Sequence, residues 1–280
     1  RIDKAQIINI YNNGNIFFLI TSMFFFLSTI IFGVLRWQKM LEIINYKLNF
    51  LEIFKVFCAN IPIAKIIPGY VGDLARTLYF KDKIPVSHNA GVVVAENLID
   101  ILFLALISLI GAVHLKNLSI IILSSLIIIT IFCGFFVARK INLNQDNKYS
   151  AKINNFLFVF KTVLRQPKNF LVVLLYTTGM WLLTLMSFQF IFLAFGSNVS
   201  FFHILSAQPI IILLGLVPIT ISGIGVRESA MLIFYKGLAP AEKIFTVGLT
   251  YSIYIAVLLP IFCLPFLIKQ LAIIKNKKYE

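Results

Sequence analysis

The chain has 280 residues, of which 60% are AVILMFWYC and 13% are charged, with a mean hydropathy of +0.93. Soluble domains carry about a quarter charged residues, so an ordinary soluble enzyme, a disordered tail and a collagen-like repeat are excluded. A net charge of +14 would suggest nucleic acid in a soluble protein. Here no basic stretch is interleaved with exposed aromatics, and the excess reads as a topology signal and an attraction to anionic headgroups.

Residue 1 is Arg, so the chain given is either processed or a fragment. Residues 1–15 are polar, Asn-rich and lack the apolar core of a signal peptide. Full spans are predicted over 16–35, 86–111, 118–138, 169–195 and 243–268, where apolar runs approach bilayer length. Strands of a membrane barrel would alternate polar and apolar residues; these runs are apolar all round. The fold class is therefore all-α, a polytopic helical membrane protein. The Phe24-Phe25-Phe26 run reads as lipid-facing.

Two apolar stretches differ from simple spans. Residues 50–68 are interrupted by Glu52, Lys55, Asn60, Pro62 and Lys65 and end in Pro68-Gly69. Residues 203–222 hold Pro209, Gly215 and Pro218 and run into Gly223-Ile224-Gly225. Pro and Gly break helices at membrane depth only where protein or water covers the backbone. Both stretches are read as broken or re-entrant hairpins.

The basic residues of 139–168, of the C-terminal tail and of 36–83 place those segments inside by the positive-inside rule. The first broken stretch then dips from the cytoplasmic side and the second from the outer side. Elements entering from opposite faces mark an inverted repeat, with halves at 36–138 and 169–268 joined by the basic segment 139–168, all within a single membrane domain. The letters agree: Pro68-Gly69-Tyr70-Val71-Gly72-Asp73-Leu74-Ala75-Arg76 resembles Ser222-Gly223-Ile224-Gly225-Val226-Arg227-Glu228. Each precedes a short amphipathic segment and a Pro (Pro85, Pro240), with Glu96 and Tyr251 at corresponding positions beyond. The expected location is the cytoplasmic membrane, multi-pass, with the C-terminus inside.

Glu96 and Asp100 are four residues apart in an apolar span, on one helix face. A carboxylate facing lipid at depth costs about 3 kcal/mol, so both should face the bundle interior. They serve either a proton or cation relay or a substrate contact, or else an interhelical ion pair or a cap. Asp73 and Arg76 follow the first break, and Arg227 and Glu228 the second. Each break supplies a helix N-terminus that favours an anion. Gly69, Gly72, Gly223 and Gly225 admit close backbone approach, and the arginines are bidentate phosphate donors. This is a candidate phosphate-headgroup site; the alternative is local charge neutralisation. Gly69-x-x-Gly72 is not a P-loop, because no Gly-Lys-Ser/Thr follows.

Segments 36–49, with Trp37 and Tyr46 as interface anchors, and 150–168 are read as amphipathic pieces on the cytoplasmic leaflet. Cys58, Cys133 and Cys263 show no C-x-x-C, and His88, His114 and His203 are isolated, so neither a disulfide framework nor a metal site is indicated. No cofactor is expected.

The string Leu216-Val217-Pro218-Ile219-Thr220-Ile221-Ser222-Gly223-Ile224-Gly225-Val226-Arg227-Glu228-Ser229-Ala230 resembles the signature of the lysylphosphatidylglycerol synthase transmembrane region, a flippase-like family. Ile67-Pro68-Gly69-Tyr70-Val71-Gly72-Asp73-Leu74-Ala75-Arg76 is similar to its Pro-Gly-x-x-Gly-(Asp/Glu)-x-x-Arg. Glu96-Asn97-Leu98-Ile99-Asp100 resembles its Glu-Arg-x-x-Asp span, and Arg36-Trp37 the pair that closes an early helix. The chain departs from the family at Asn97, where Arg is common, and at Ser252 in the later span. The resemblance implies one more span before residues 1–15. It covers the membrane part only, so it implies lipid translocation and not lysyl transfer. The implied partner is an anionic phospholipid or a polyprenyl-phosphate glycan carrier, with a separate synthase or glycosyltransferase as a second partner and no nucleic acid. A membrane-embedded or lipid-presenting transferase subunit and a non-transporting scaffold are the other readings.

Overall fold

The structure, a computed structural model, describes residues 3–67, 69–140, 148–217 and 220–276. Among these, eleven α-helices account for nearly all the chain: α1 (Lys4–Asn12), α2 (Ile16–Ile43), α3 (Phe50–Ile66), α4 (Val86–His114), α5 (Leu118–Lys140), α6 (Lys148–Arg165), α7 (Pro167–Ala194), α8 (Phe201–Gly215), α9 (Val226–Phe234), α10 (Ala241–Ile253) and α11 (Leu259–Asn276). The all-α reading holds. Pro68, Pro218 and residues 141–147 of the predicted joining segment 139–168 lie outside the described residues.

Among the described residues, four helical stretches are long and apolar enough to cross a membrane: Ile16–Ile43, Val86–His114, Pro167–Ala194 and Ala241–Ile273. The fifth predicted span, 118–138, falls on α5, whose apolar part is the shorter Leu118–Gly134. The first span also runs further than predicted. Residues 36–43 continue α2 instead of starting a surface segment, because Met40, Leu41 and Ile43 bury fully against the bundle. Trp37 is accordingly not an interface anchor: it is completely buried, its Nε1 donating to Asn89 Oδ1 at 3.3 Å.

Local chemistry explains the helix ends. Asn15 and Asn49 accept from the first free backbone N–H groups of α2 and α3, as Asn does at N-caps. At the other end of α3, Ile67 is extended (φ −87°, ψ 124°), the conformation forced on a residue before proline. A turn of π-helix at Tyr254–Leu258 joins α10 to α11. Such bulges concentrate at functional sites.

The largest interface sets α2 against α7, and α4 packs on α5, α6 and α8. The predicted surface segment 150–168 is thus partly covered by protein. A Cβ on Gly91 of α4 would lie 2.8 Å from the Phe156 carbonyl of α6, and Val159 is fully buried. Where α4 meets α8, a Cβ on Gly111 would lie 2.6 Å from Ser206 Cα, small-residue packing of the kind membrane bundles use. Cys58 and Cys263, free and buried, lie on α3 and α11, which pack together.

In each broken stretch the segment after the break packs against the helix before it. After α3, residues Gly69–Phe80 form a 3-10 helix lying against α3. Twelve residues is unusually long for this geometry, which marks strain or function. The approach requires Gly72, whose Cβ would sit 2.6 Å from Ala64 Cα. After α8, a short 3-10 turn at Ile221–Gly223 leads into α9, which packs back on α8. Ser222 there takes φ 55°, and its hydroxyl donates to the Lys65 carbonyl at 2.9 Å. The two breaks therefore touch.

Candidate functional site

The α4 carboxylates face inward, as their cost in hydrocarbon demands. Glu96 is fully buried and Asp100 is 3% exposed. Arg36 of α2 reaches both. Its Nε lies 3.2 Å from Glu96 Oε1, and its two terminal nitrogens grip Asp100, Nη2 donating to Oδ2 at 3.0 Å and Nη1 to Oδ1. Arg76, from the first break, binds the other Glu96 oxygen, Oε2. Trp181 of α7 donates to Asp100 Oδ1 at 2.8 Å. Charge-assisted, bidentate bonding of this kind is the arrangement that compensates burial of a charge. Glu96 and Asp100 thus form interhelical ion pairs with Arg36 and Arg76.

The second break is built differently. Arg227 donates to Ser252 Oγ at 2.8 Å and to the Ser222 carbonyl at 3.0 Å. Among the described residues no carboxylate ion-pairs with it. Glu228, its neighbour, is occupied elsewhere: it accepts from Ser252 Oγ and, at 2.5 Å, from the Gly225 N–H that opens α9.

Both break arginines lie over aromatic rings. The Arg76 guanidinium sits 4.6 Å from the Trp37 ring centroid and 5.5 Å from that of Phe57, and Arg227 sits 5.3 Å from that of Tyr251. Cation–π contact holds a guanidinium plane without consuming its N–H groups. Among the described residues, neither Nε–H of these arginines, both buried, has a hydrogen-bond partner.

These side chains surround one cavity of about 260 Å³. Among the described residues, four cationic side chains line it, Arg36, Lys65, Arg76 and Arg227, against two carboxylates, Asp73 and Asp100. Of the remaining predicted site residues, Tyr251 lines the cavity. Glu96 and Glu228 stand behind it as partners of lining residues. Gly72 and Gly223 serve backbone contact: a Cβ on Gly223 would lie 2.6 Å from the Gly215 carbonyl oxygen. Gly69 opens the 3-10 helix and Gly225 caps α9. Phe26 corrects the lipid-facing reading of its run. It is 5% exposed, its ring meets Tyr251 edge-on, and it lines the cavity. Phe24, by contrast, is exposed.

Sequence reading missed Asn60, Lys65, Trp181 and Ser222 as cavity residues, and read Arg36 as a helix-closing residue and a basic topology marker. For Arg36 a signal existed: two carboxylates in one apolar span demand cationic partners at the same depth. For Trp181 and Asn60 no comparable signal exists in a single sequence.

The chain matches the family described as the lysylphosphatidylglycerol synthase TM region over residues 1–263. A UPF0104 membrane protein of Archaeoglobus fulgidus is 24% identical over 264 residues, covering 84% of this chain and 80% of its own. A UPF0104 membrane protein of Methanothermobacter thermautotrophicus is 23% identical, covering 74% and 72%. One of Pyrococcus horikoshii is 20% identical, covering 94% and 88%. With its apolar spans and buried polar centre, this multi-pass membrane chain belongs to the lysylphosphatidylglycerol synthase transmembrane-region family.

Proposed function

We propose that the chain is a flippase-like lipid translocase whose cavity takes the anionic headgroup of a phospholipid or of a polyprenyl-phosphate-linked glycan. One observation carries this reading: the cavity is lined by residues of both breaks, among them Arg76 and Arg227, each of whose guanidinium groups has a buried Nε–H with no hydrogen-bond partner among the described residues. A buried donor left unmatched costs about 1–3 kcal/mol, and phosphate oxygens between Arg76 and Arg227 would remove that cost. The volume, below the roughly 300–1,000 Å³ of sites for drug-sized ligands, suits a headgroup with its acyl chains left in the bilayer.

In this reading α3 with its 3-10 return enters from the cytoplasmic face, and α8 with α9 enters from the outer face, as halves of an inverted repeat. The C-terminus is inside, where the basic segments collect. Exposure of the headgroup alternates between the two sides as one broken hairpin moves against the other, at the contact where Ser222 meets Lys65. The lipid is received from, or passed to, a separate synthase or glycosyltransferase.

Reconstitution tests it. Vesicles carrying the protein should move a fluorescent anionic lipid between leaflets, and the Arg76→Ala/Arg227→Ala protein should do no better than protein-free vesicles. A double variant that retains its elution profile and helicity, and still moves lipid at the parent rate, removes the half-sites from the mechanism.

A further inference from the structure

The predicted span 243–268 is a single apolar run, and the structure interrupts it at one turn. Pro260 has no backbone N–H, and a proline ring crowds the carbonyl four residues back, here that of Ala256. Directly before it lies the π-helical turn Tyr254–Leu258, where the Leu259 N–H reaches back five residues to the Tyr254 carbonyl. The wider turn offsets the drift of an α-helix of about 3.6 residues per turn. Tyr251, Ile255 and Leu259, at four-residue intervals, all line the cavity as a result.

The two halves joined at this turn have different partners. α10 packs on α9, α7 and α1. A Cβ on its Gly248 would lie 3.0 Å from Met231 Sδ and 3.2 Å from Glu228 Cγ, both of α9. Its Ser252 accepts from Arg227 at 2.8 Å and donates to Glu228. α11 packs on α3 and, among the described residues, on no other α-helix to a comparable extent. There Phe266 meets Phe54 edge-on at 5.7 Å and Cys263 is fully buried, while Ile261, Phe262 and Ile268 are exposed. One half of the span is thus built onto the second break and the other half onto the first. Tyr254, where the turn begins, is fastened to α2 by its hydroxyl, 2.8 Å from Ser22 Oγ.

Resting on the alternating-exposure reading above, we propose that this π turn is the joint of the movement. α11 travels with α3 and the first break, α10 stays with α9 and the second, and the change of angle is taken up between Tyr254 and Pro260. A turn ahead of a proline suits the task. Pro260 cannot donate to the Ala256 carbonyl, so one bond of the helical ladder is missing where the two halves meet. Movement at the joint would part Ser222 from the Lys65 carbonyl, the contact between the breaks.

Distances between spin labels test this on the full chain in nanodiscs. Nitroxide-bearing noncanonical residues, which leave the native cysteines in place, go at Ile268 of α11, Ile233 of α9 and Leu51 of α3, which are 61%, 70% and 60% exposed. The Ile268–Ile233 pair should give two distance populations whose ratio changes between phosphatidylcholine and phosphatidylglycerol discs. The Ile268–Leu51 pair should give one narrow population in both. A single narrow Ile268–Ile233 population in both discs overturns the joint. An Ile268–Leu51 distance that varies as widely overturns the coupling of α11 to α3.

Pro260→Ala restores the missing donor and supplies the functional arm. It should raise the unfolding midpoint, merge the Ile268–Ile233 populations into one and slow lipid movement in vesicles about tenfold. Tenfold corresponds to about 1.4 kcal/mol, less than a proline costs inside a helix. A variant that keeps two populations and moves lipid at the parent rate overturns the role of Pro260. Should the variant not fold, the parent distances still decide for or against the joint. Two populations in a parent chain that moves no lipid would keep the joint and reject the translocase reading instead.

Discussion

Replacing Arg36 with Met should destabilise the protein by about 3–5 kcal/mol, the loss expected when one partner of a buried ion pair is removed. The magnitude follows from what is left behind. Asp100 and Glu96 are 3% and 0% exposed, and without Arg36 the Asp100 carboxylate keeps the Trp181 N–H while losing its bidentate cation. Glu96 retains Arg76, so the damage concentrates at Asp100. Adding Asp100→Asn should therefore recover a substantial part of the loss, with a coupling between the two sites in the 0.5–3 kcal/mol range of contacting residues. Thermal unfolding in neutral detergent measures both. The surface pair offers the contrast. Lys83 and Glu52 have side chains 54% and 35% exposed, and Lys83→Met should move stability by less than about 1 kcal/mol. If Arg36→Met is as mild as Lys83→Met, the four-residue charge cluster is not what holds α2, α4 and the first break together.

The parts of this fold legible from sequence are those governed by local physics. Apolar runs and the scarcity of charge identify helical spans, and Pro68-Gly69 and Gly223-Ile224-Gly225 place both breaks, because proline and glycine act on the chain next to them. The inward face of α4 was legible too. Glu96 and Asp100 lie four residues apart, and hydrocarbon excludes them. Which cation answers them was not legible. Arg36 lies 60 residues from Glu96 in sequence and sits beside Trp37, so the pair reads like the end of a span at the interface. The structure buries both because Met40, Leu41 and Ile43 carry the helix onward into protein contact. Phe26 illustrates the same limit. Phe24 and Phe26 are identical in type two residues apart, and only the packing of Tyr251 and Tyr254 against Phe26 separates a cavity wall from a lipid-facing ring.

Gly223→Ala should be the most damaging of three glycine substitutions, and the order among them tests whether the second break closes by direct backbone contact. At Gly134 of α5 an added Cβ meets nothing within 4 Å and the backbone is regular helix, so Ala should be neutral or stabilising by up to about 1 kcal/mol. At Gly225 the space is also open but φ is +88°, and conformational strain alone should cost about 1–3 kcal/mol. Gly223 combines a φ of +74° with a Cβ 2.6 Å from the Gly215 carbonyl oxygen and 3.0 Å from its Cα. Neither of those atoms belongs to a side chain that can rotate away. Strain and overlap add there, each about 1–3 kcal/mol. The overlap would also push apart the turn whose Ser222 carbonyl receives Arg227, so the variant should lose headgroup binding as well as stability. Unfolding midpoints of the three proteins, with phosphate-ester binding of whatever remains folded, give the comparison. Gly223→Ala no worse than Gly225→Ala would mean that the backbone of the turn does not rest on Gly215, and that the position of Arg227 must be set by its bond to Ser252 instead.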